Sequence, residues 1–317
     1  VDLIFLGTSS GVPTKSRNVT ALALLEERGR GWLLVDCGEG TQHRLLHAPL
    51  SLNDLQAILI THVHGDHCYG LPGLLGTAGM SGRRAPLTIV APRGIEAWFR
   101  ATQQHTQLHL PFELDFVAAE GLTDRHQGAF AIDAVELEHR VPSYAYRFTE
   151  ARVEPSLDVD RLRAEGVPQG PLWGRLGKGE DVRFDGRLLA ARAYLRAGRR
   201  PRRLIVGGDN ARPERLAGAA VDAQLLVHEA TYTSEIGAKA AEVGHSTAAA
   251  VAAFAESAGI PNLLLTHFSP RYATLDALAA EAAQHYGGRL FLAEDLARYR
   301  LGRDGEFARI AAAASPG

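Results

Sequence analysis

Lysine is almost missing from this chain: Lys15, Lys178 and Lys239 stand against 31 arginines. We read that imbalance as coding bias rather than function. Cysteine is equally scarce. Cys37 and Cys68 are too few for a disulfide framework, and a reduced, cytoplasmic protein is the simplest expectation. The formal charge is -2 with a pI near 6.7, so no global cationic field draws in nucleic acid or anionic lipid. A polyanion would have to meet a local patch. RAGRRPRR, Arg196 to Arg203, puts five arginines into eight residues, and composition favours a solvated loop there. No apolar run approaches the roughly 20 residues that cross a bilayer. AAAVAAFAESAG (248–259) is short, alanine-rich and interrupted by Glu256, and it reads as a packed helix. The opening VDLIFLGTSSG reads as strand and turn, without a charged leader or secretory segment.

What is present is a series of short apolar runs. DLIFLG (2–7), ALALL (21–25) and WLLVDCG (32–38) are spaced for an antiparallel start. AILITH (57–62) and LTIVAP (87–92) follow, with a helix-like stretch around 71–77 between them. FAIDAVELEH (130–139) shows partial alternation. RLIVGGD (203–209), QLLVHEA (224–230) and NLLLTH (262–267) come later, separated by helical patterns. Strands alternating with helices predict a sheet packed by helices. No repeat of solenoid period occurs. Residues 150 to 200 break the pattern. They lack strong strands and hold VPQGPLWGRLGKGEDV (167–182), dense in Gly and Pro. A linker between two domains is one reading. A protruding arm is preferred, because no second complete core follows it.

The apolar runs end alike. AILIT leads into His62, RLIVGG into Asp209, QLLV into His228 and Glu229, NLLLT into His267, and FAIDAVELE into His139. Parallel strands present their carboxyl ends on one edge, where ligands bind. Residues far apart in sequence can therefore converge. In HVHGDH, histidines at i and i+2 of a strand end project to one side. Gly65 lets the chain turn, and Asp66 and His67 face a neighbouring point. Imidazole and carboxylate donors are zinc ligands. The count fits His62, His64 and His139 on one metal, Asp66, His67 and His267 on a second, and Asp209 shared between them. The competing bland reading is a polar cluster capping a helix that begins near Cys68. His43, His47, His105, His109, His126 and His285 lie singly in helical or loop segments and read as ordinary histidines. His245 precedes Ser246 and Thr247, either of which suits a helix cap. The positive end of that helix would also favour an anionic substrate.

HVHGDH is the signature of the metallo-β-lactamase fold, and the wider motif set resembles the ribonuclease Z family, the tRNA 3′-processing endonucleases in their short form. The resemblance runs through FLGTSSGVPTKSRNVT, DCGEGTQHRLL, HRVPSYAYRF, GVPQGPLWGRLGKGE, VHEAT, GHST, LLLTHFSPRY and FLAEDL, nearly the whole chain. It implies an α/β αββα sandwich of two mixed β-sheets flanked by helices. Residues 1–317 would be one catalytic domain, and about 150–195 a flexible inserted exosite arm that grips the tRNA elbow. It implies two zinc ions per subunit, with manganese or cobalt as possible occupants. His62, His64 and His139 would bind the first, Asp66, His67 and His267 the second, with Asp209 bridging. Asp66 would also be the general base that aligns the attacking water. Glu229 and His245 would assist the leaving oxygen. A homodimer is implied, one subunit's arm serving the other's site, with precursor tRNA as substrate and neither membrane nor DNA as partner. GGDN departs from the pattern, placing Asn210 where the family has threonine, and the arm, whose charge comes from Arg161, Arg163, Arg175 and Lys178, is less lysine-rich than the resemblance implies.

The expected reaction is removal of the 3′ trailer, leaving a 3′-hydroxyl on the tRNA and a 5′-phosphate on the trailer. A metal-dependent small-molecule phosphodiesterase, or another hydrolase of the same fold, is the alternative. It would have no use for a projecting arm. A metal-bound RNA-binding module without catalysis is a third reading, and Asp66 argues against it. A redox di-iron site would usually replace one of these histidines with a carboxylate.

Overall fold

The computed structural model describes residues 1–27 and 29–311. The strands run, in chain order, β1 (Asp2–Gly7), β2 (Ala21–Leu25), β3 (Trp32–Val35), β4 (Leu55–Leu59), β5 (Leu87–Ala91), β6 (Leu114–Ala118), β7 (Arg125–Gln127), β8 (Phe130–Leu137) and β9 (Ser143–Glu150). An inserted segment carries β10 (Ser156–Leu157), β11 (Val182–Phe184), β12 (Arg187–Leu189) and β13 (Leu195–Arg196). Then come β14 (Arg203–Val206), β15 (Leu225–Glu229), β16 (Asn262–Thr266), β17 (Arg289–Leu292), β18 (Arg298–Leu301) and β19 (Phe307–Ile310). The helices are α1 (Thr41–Leu45), α2 (Gly65–Cys68), α3 (Leu71–Met80), α4 (Ile95–Thr106), α5 (Val159–Ala164), α6 (Pro171–Gly177), α7 (Gly237–Glu242), α8 (Ala248–Ser257) and α9 (Asp276–Ala283).

Two mixed sheets result, ordered β19-β18-β1-β2-β3-β4-β5-β6 and β17-β16-β15-β14-β9-β8-β7. The expected antiparallel start is there: β2 pairs antiparallel with both β1 and β3. From β3 to β6 the pairing is parallel, and so it is from β14 to β17. The apolar runs are unbroken because both faces are buried. Leu3 and Phe5 of β1 join a core between the sheets, while Ile4 and Leu6 pack on the opposite face with α1, α3 and α4. In β15, Leu225 and Val227 face the central core, and Leu226 packs outward with residues of α8 and α9. Helix, sheet, sheet and helix are thus four layers, the sandwich expected from the sequence. Among the described residues no helix is long and apolar enough to cross a membrane.

The sheets are stitched where β4 ends. Tyr146 Oη donates to Ile60 O at 2.7 Å, Tyr144 N to Thr61 O at 3.0 Å, and Gly208 N to Tyr144 O at 3.1 Å. A Cβ on Gly208 would lie 2.6 Å from Thr61 Cβ and 2.9 Å from Ser143 Oγ. Only glycine allows the end of β14 to come this close to the end of β4, which is what brings Asp209 toward His62.

Residues 150–201 form a compact unit separate from residues 1–149 with 202–317. Within this insert β10 pairs with β13, and β11 with β12. Asp185 and Gly186 both take positive φ, 48° and 73°, so the β11–β12 hairpin turns on an Asp-Gly pair suited to that geometry. Asp158 caps α5 by accepting from Arg161 N at 3.0 Å. Leu162, Val167, Trp173, Leu176, Val182, Leu189 and Tyr194 gather into a cluster of their own. The sequence hid it because these strands are only two or three residues long. The arginine run at the end of the insert is no free cationic patch. Arg196 pairs with Asp158 at 2.7 Å, Arg199 with Glu150 at 2.6 Å, Arg202 with Glu27 at 2.7 Å and Arg203 with Asp222 at 3.0 Å.

Candidate metal centre

The residues at the carboxyl ends of β4, β8, β14 and β16 meet. His62 Nε2 lies 3.0 Å from His64 Nδ1, and His139 Nε2 lies 3.2 Å from the same His64 atom. Asp209 Oδ2 completes this group, 3.6 Å from His62 Nε2 and 3.9 Å from His139 Nε2. In a second group His67 Nε2 and His267 Nε2 are 3.2 Å apart. Asp66 Oδ2 lies 3.5 and 3.4 Å from those two nitrogens. Asp209 turns its other oxygen here: Oδ1 is 3.4 Å from His67 Nε2 and 3.3 Å from His267 Nε2. A tetrahedral ion with bonds of about 2.0–2.2 Å holds its ligand atoms roughly 3.3–3.6 Å apart. The observed spacings centre on that edge length. The helix-cap alternative fails locally, because α2 starts at Gly65 after His64 with no side-chain cap hydrogen bond.

On His62, His67, His139 and His267 the opposite ring nitrogen is held from behind, as metal-ligating imidazoles require. His67 Nδ1 lies 2.7 Å from Asp36 Oδ2. His62 Nδ1 is 3.1 Å from Thr61 Oγ1, which donates to the same Asp36 oxygen at 2.9 Å. His139 Nδ1 is 2.7 Å from Gly244 O. Gly244 has φ +83°, and a Cβ there would lie 2.6 Å from His139 Nδ1, so the position accepts glycine alone. His267 Nδ1 is 3.0 Å from Thr231 Oγ1. Gly11 N donates to Asp66 Oδ2 at 2.7 Å, so the loop after β1 orients that carboxylate.

The electrostatics match. Burial pushes the imidazoles of His62, His64 and His139 below the ordinary histidine value, into the neutral form that ligates metals. Burial would lower His67 as well, but Asp66, Asp209 and Asp36 together drive it well above that value. Three carboxylates around one buried ring call for positive charge at that point. Burial opposes ionisation of Asp209, and His267, His67 and His62 overcome it, holding its carboxyl well below the usual range. Asp209 Oδ1 is buried and has no hydrogen-bond partner. An orphaned carboxylate oxygen facing two histidine nitrogens fits a cation.

Glu229 and His245 sit beside this cluster. Glu229 is 1% exposed and lies 3.0 Å through Oε1 from His245 Nδ1. Oε1 also accepts from Asn210 N at 2.9 Å, and Oε2 accepts a short hydrogen bond from the Thr231 hydroxyl. Burial disfavours a charged His245, but the charge and hydrogen bond of Glu229 outweigh it and raise the ring to about 9. Thr247 caps α8 through Ala250 N at 3.2 Å, leaving His245 just outside the helix. His228 faces away from the cluster, bonded to Asn210 Nδ2 at 3.1 Å and to the Glu229 carbonyl at 2.8 Å. Asn210 also accepts from Glu138 N and Arg212 N, so it knots three segments together. His43, His47, His105, His109, His126 and His285 are all exposed. Asp36, Thr61, Thr231, Gly11 and Gly244 escaped the sequence reading. Only Asp36 carried a signal, an acid closing the apolar run WLLV like those closing the other strands.

Four-layer packing and a strand-end cluster of histidines and aspartates define the metallo-β-lactamase class of hydrolases. Human tRNase Z, short form, superposes with a TM-score of 0.68 at 26% identity, over 95% of this chain and all of that one. YhfI of Bacillus subtilis, a metallo-β-lactamase fold protein, gives 0.66 at 19% identity over 94% and 98%, which shows the fold alone. A family profile described as Anti-Pycsar protein Apyc1 matches residues 1–107, stopping before His139, Asp209 and His267. Ribonuclease Z of Pseudomonas putida (strain W619) is 57% identical over 98% of this chain and 99% of its own length. That of Marinobacter nauticus is 46% identical over 98% and 99%. The chain belongs to the ribonuclease Z family, the endoribonucleases of tRNA 3′ processing.

Proposed function

We propose that this chain removes the 3′ trailer from precursor tRNA by metal-assisted hydrolysis, leaving a 3′-hydroxyl on the tRNA and a 5′-phosphate on the trailer. The observation that carries this reading is the Asp209 carboxylate, which offers Oδ2 to one set of three histidines and Oδ1 to His67 and His267. His62, His64 and His139 would hold one ion, Asp66, His67 and His267 a second, with Asp209 shared. Nitrogen and oxygen donors in this number suit zinc, and manganese or cobalt as substitutes. Such ions, when bound, acidify a water and neutralise the charge that grows on a phosphoryl group.

The chain's own residues do the rest. Burial opposes the charge on Asp66, but the neighbouring His67 and His267 rings hold it far below the usual carboxylate range. It is therefore ionised throughout the working range. It accepts a hydrogen bond from the attacking water and aligns it, and Gly11 N keeps the carboxylate in place. His245, protonated against Glu229, is the general acid that delivers a proton to the leaving 3′ oxygen as the P–O3′ bond breaks. In the insert, Arg152, Lys178, Arg183 and Arg192 are exposed and make no ion pair among the described residues. They supply backbone-reading charge for a folded RNA, and the insert acts as the tRNA grip. The protein acts in the cytoplasm as a homodimer, which light scattering of the purified protein would register as twice the chain mass.

Incubating the protein with a trailer-bearing precursor tRNA, with and without chelator, tests the reaction. Cleavage that leaves a 5′-phosphate on the trailer and stops with chelator is expected. Intact precursor under metal-replete conditions would refute the assignment.

A further inference from the structure

Thr231 makes contacts that a packing role does not require. It is fully buried on the far side of His267 from the other metal-facing atoms. Its single hydroxyl proton is directed at Glu229 Oε2 and the His267 carbonyl oxygen, neither of which can donate in return. With that proton committed, Thr231 Oγ1 can only accept from His267 Nδ1, 3.0 Å away. Nδ1 must therefore carry the ring proton, and the lone pair is left on Nε2. That is the nitrogen facing His67 Nε2, Asp66 Oδ2 and Asp209 Oδ1. Thr231 Oγ1 also lies 3.0 Å from the carbonyl oxygen of His267, whose backbone sits at φ +57°. A non-glycine residue keeps that conformation only where its surroundings over-determine it. The second oxygen of the same Glu229 carboxylate holds His245 Nδ1 at 3.0 Å.

We propose that Thr231 is a positioning residue that couples the second ion's ligand His267 to the leaving-group acid His245 through the two oxygens of Glu229. The proposal rests on the ligand set given above. Loading of the second ion and placement of His245 then depend on one hydroxyl. Thr61 repeats the device between His62 and Asp36, but that carboxylate reaches no leaving-group acid. Replacing Thr231 should therefore disturb both metal loading and the chemical step, whereas a simple packing residue would disturb neither specifically.

The test uses the full chain as Thr231→Val, Thr231→Ala and Thr231→Ser. Metal content is measured after dialysis against graded chelator, and the d–d spectrum is recorded with cobalt loaded. Precursor-tRNA cleavage gives kcat and KM. For Thr231→Val we expect one of two ions to be lost at about 10–100-fold lower chelator. Its cobalt spectrum should change, and kcat should fall at least tenfold with KM within threefold. Thr231→Ser should restore all three. Thr231→Ala keeps the question open to measurement if the valine variant does not fold, and the same losses are expected of it. A folded Val or Ala variant with both ions at native affinity and native kcat overturns the proposal. So does lost kcat with full metal retention, because the coupling is then absent. His267→Ala is the separate control. If that variant still holds two ions, the ligand set is wrong rather than the role of Thr231.

Discussion

Asp36 Oδ2 lies 2.7 Å from His67 Nδ1, and the same oxygen accepts from Thr61, whose hydroxyl is 3.1 Å from His62 Nδ1. One carboxylate braces a ring from each of the two clustered groups of nitrogens. Asp36→Asn keeps the shape but weakens the acceptor. We expect affinity for both ions to fall by about 10–100-fold, read by chelator competition. Unchanged affinity would remove Asp36 from the design.

Asp209 has no substitute among the described residues for its double orientation. Asp209→Asn should reduce precursor cleavage by on the order of 10³-fold or more. Circular dichroism should show the fold retained, since the sheets do not depend on this side chain. Cleavage within tenfold of native would contradict the shared-ligand reading.

Gly244 is set between His139 and His245. Gly244→Ala meets both the +83° backbone and the 2.6 Å approach to His139 Nδ1. A loss of roughly 1–2 kcal/mol in urea unfolding is expected from the backbone alone, together with weaker binding of one ion. A variant as stable as the parent, with both ions at native affinity, would show that the loop relaxes freely.

Trp173 is the largest side chain in the insert's cluster, with Nε1 donating to Val167 O at 3.2 Å. Trp173→Ala should destabilise that unit by roughly 3–5 kcal/mol. KM for precursor tRNA should rise while hydrolysis of bis-nitrophenyl phosphate is spared. Removing residues 155–190 should separate the two activities completely. If precursor cleavage survives that deletion, the small-molecule hydrolase reading is preferred.

Asp2 titrates outside the site. Burial opposes its ionisation, but hydrogen bonds from Arg300 and Arg298 hold its carboxyl below the ordinary aspartate value. The folded state therefore favours the charged form. The stabilisation is fully present above the unfolded value and is lost as pH falls through the folded one. Metal-free Asp2→Asn should be less stable than the parent by roughly 1–3 kcal/mol at pH 6. The gap should narrow at pH 3, and a constant gap in urea unfolding would show that charge is not its cause.

The strand ends were legible because runs such as AILIT and NLLLT are buried on both faces, and a histidine or aspartate after such a run has few structural reasons to be there. Long-range convergence then followed from parallel pairing. The supporting groups were not legible. Thr61 and Thr231 look like ordinary β-branched residues near strand ends. Asp36 closes the apolar run WLLV as the other strand-end acids close theirs, but it sits at φ +60° inside DCG, and no pattern shows that it braces two rings. Gly11 acts through its backbone amide, which no side-chain pattern reveals. The insert's cluster escaped because strands of two or three residues carry no measurable period.

The insert leaves the main chain after Thr149 and rejoins it before Arg203, and those two residues are register partners in the β9–β14 pair. In topology it is a greatly enlarged hairpin loop. Loop-closure entropy rises only logarithmically with length, so such a loop can grow or shrink at little cost to the β9–β14 pairing. With the insert in its proposed role as the tRNA grip, a lineage could change which nucleic acid it holds while inheriting its hydrolytic machinery intact. On that role, swapping this one stretch between relatives should transplant substrate preference.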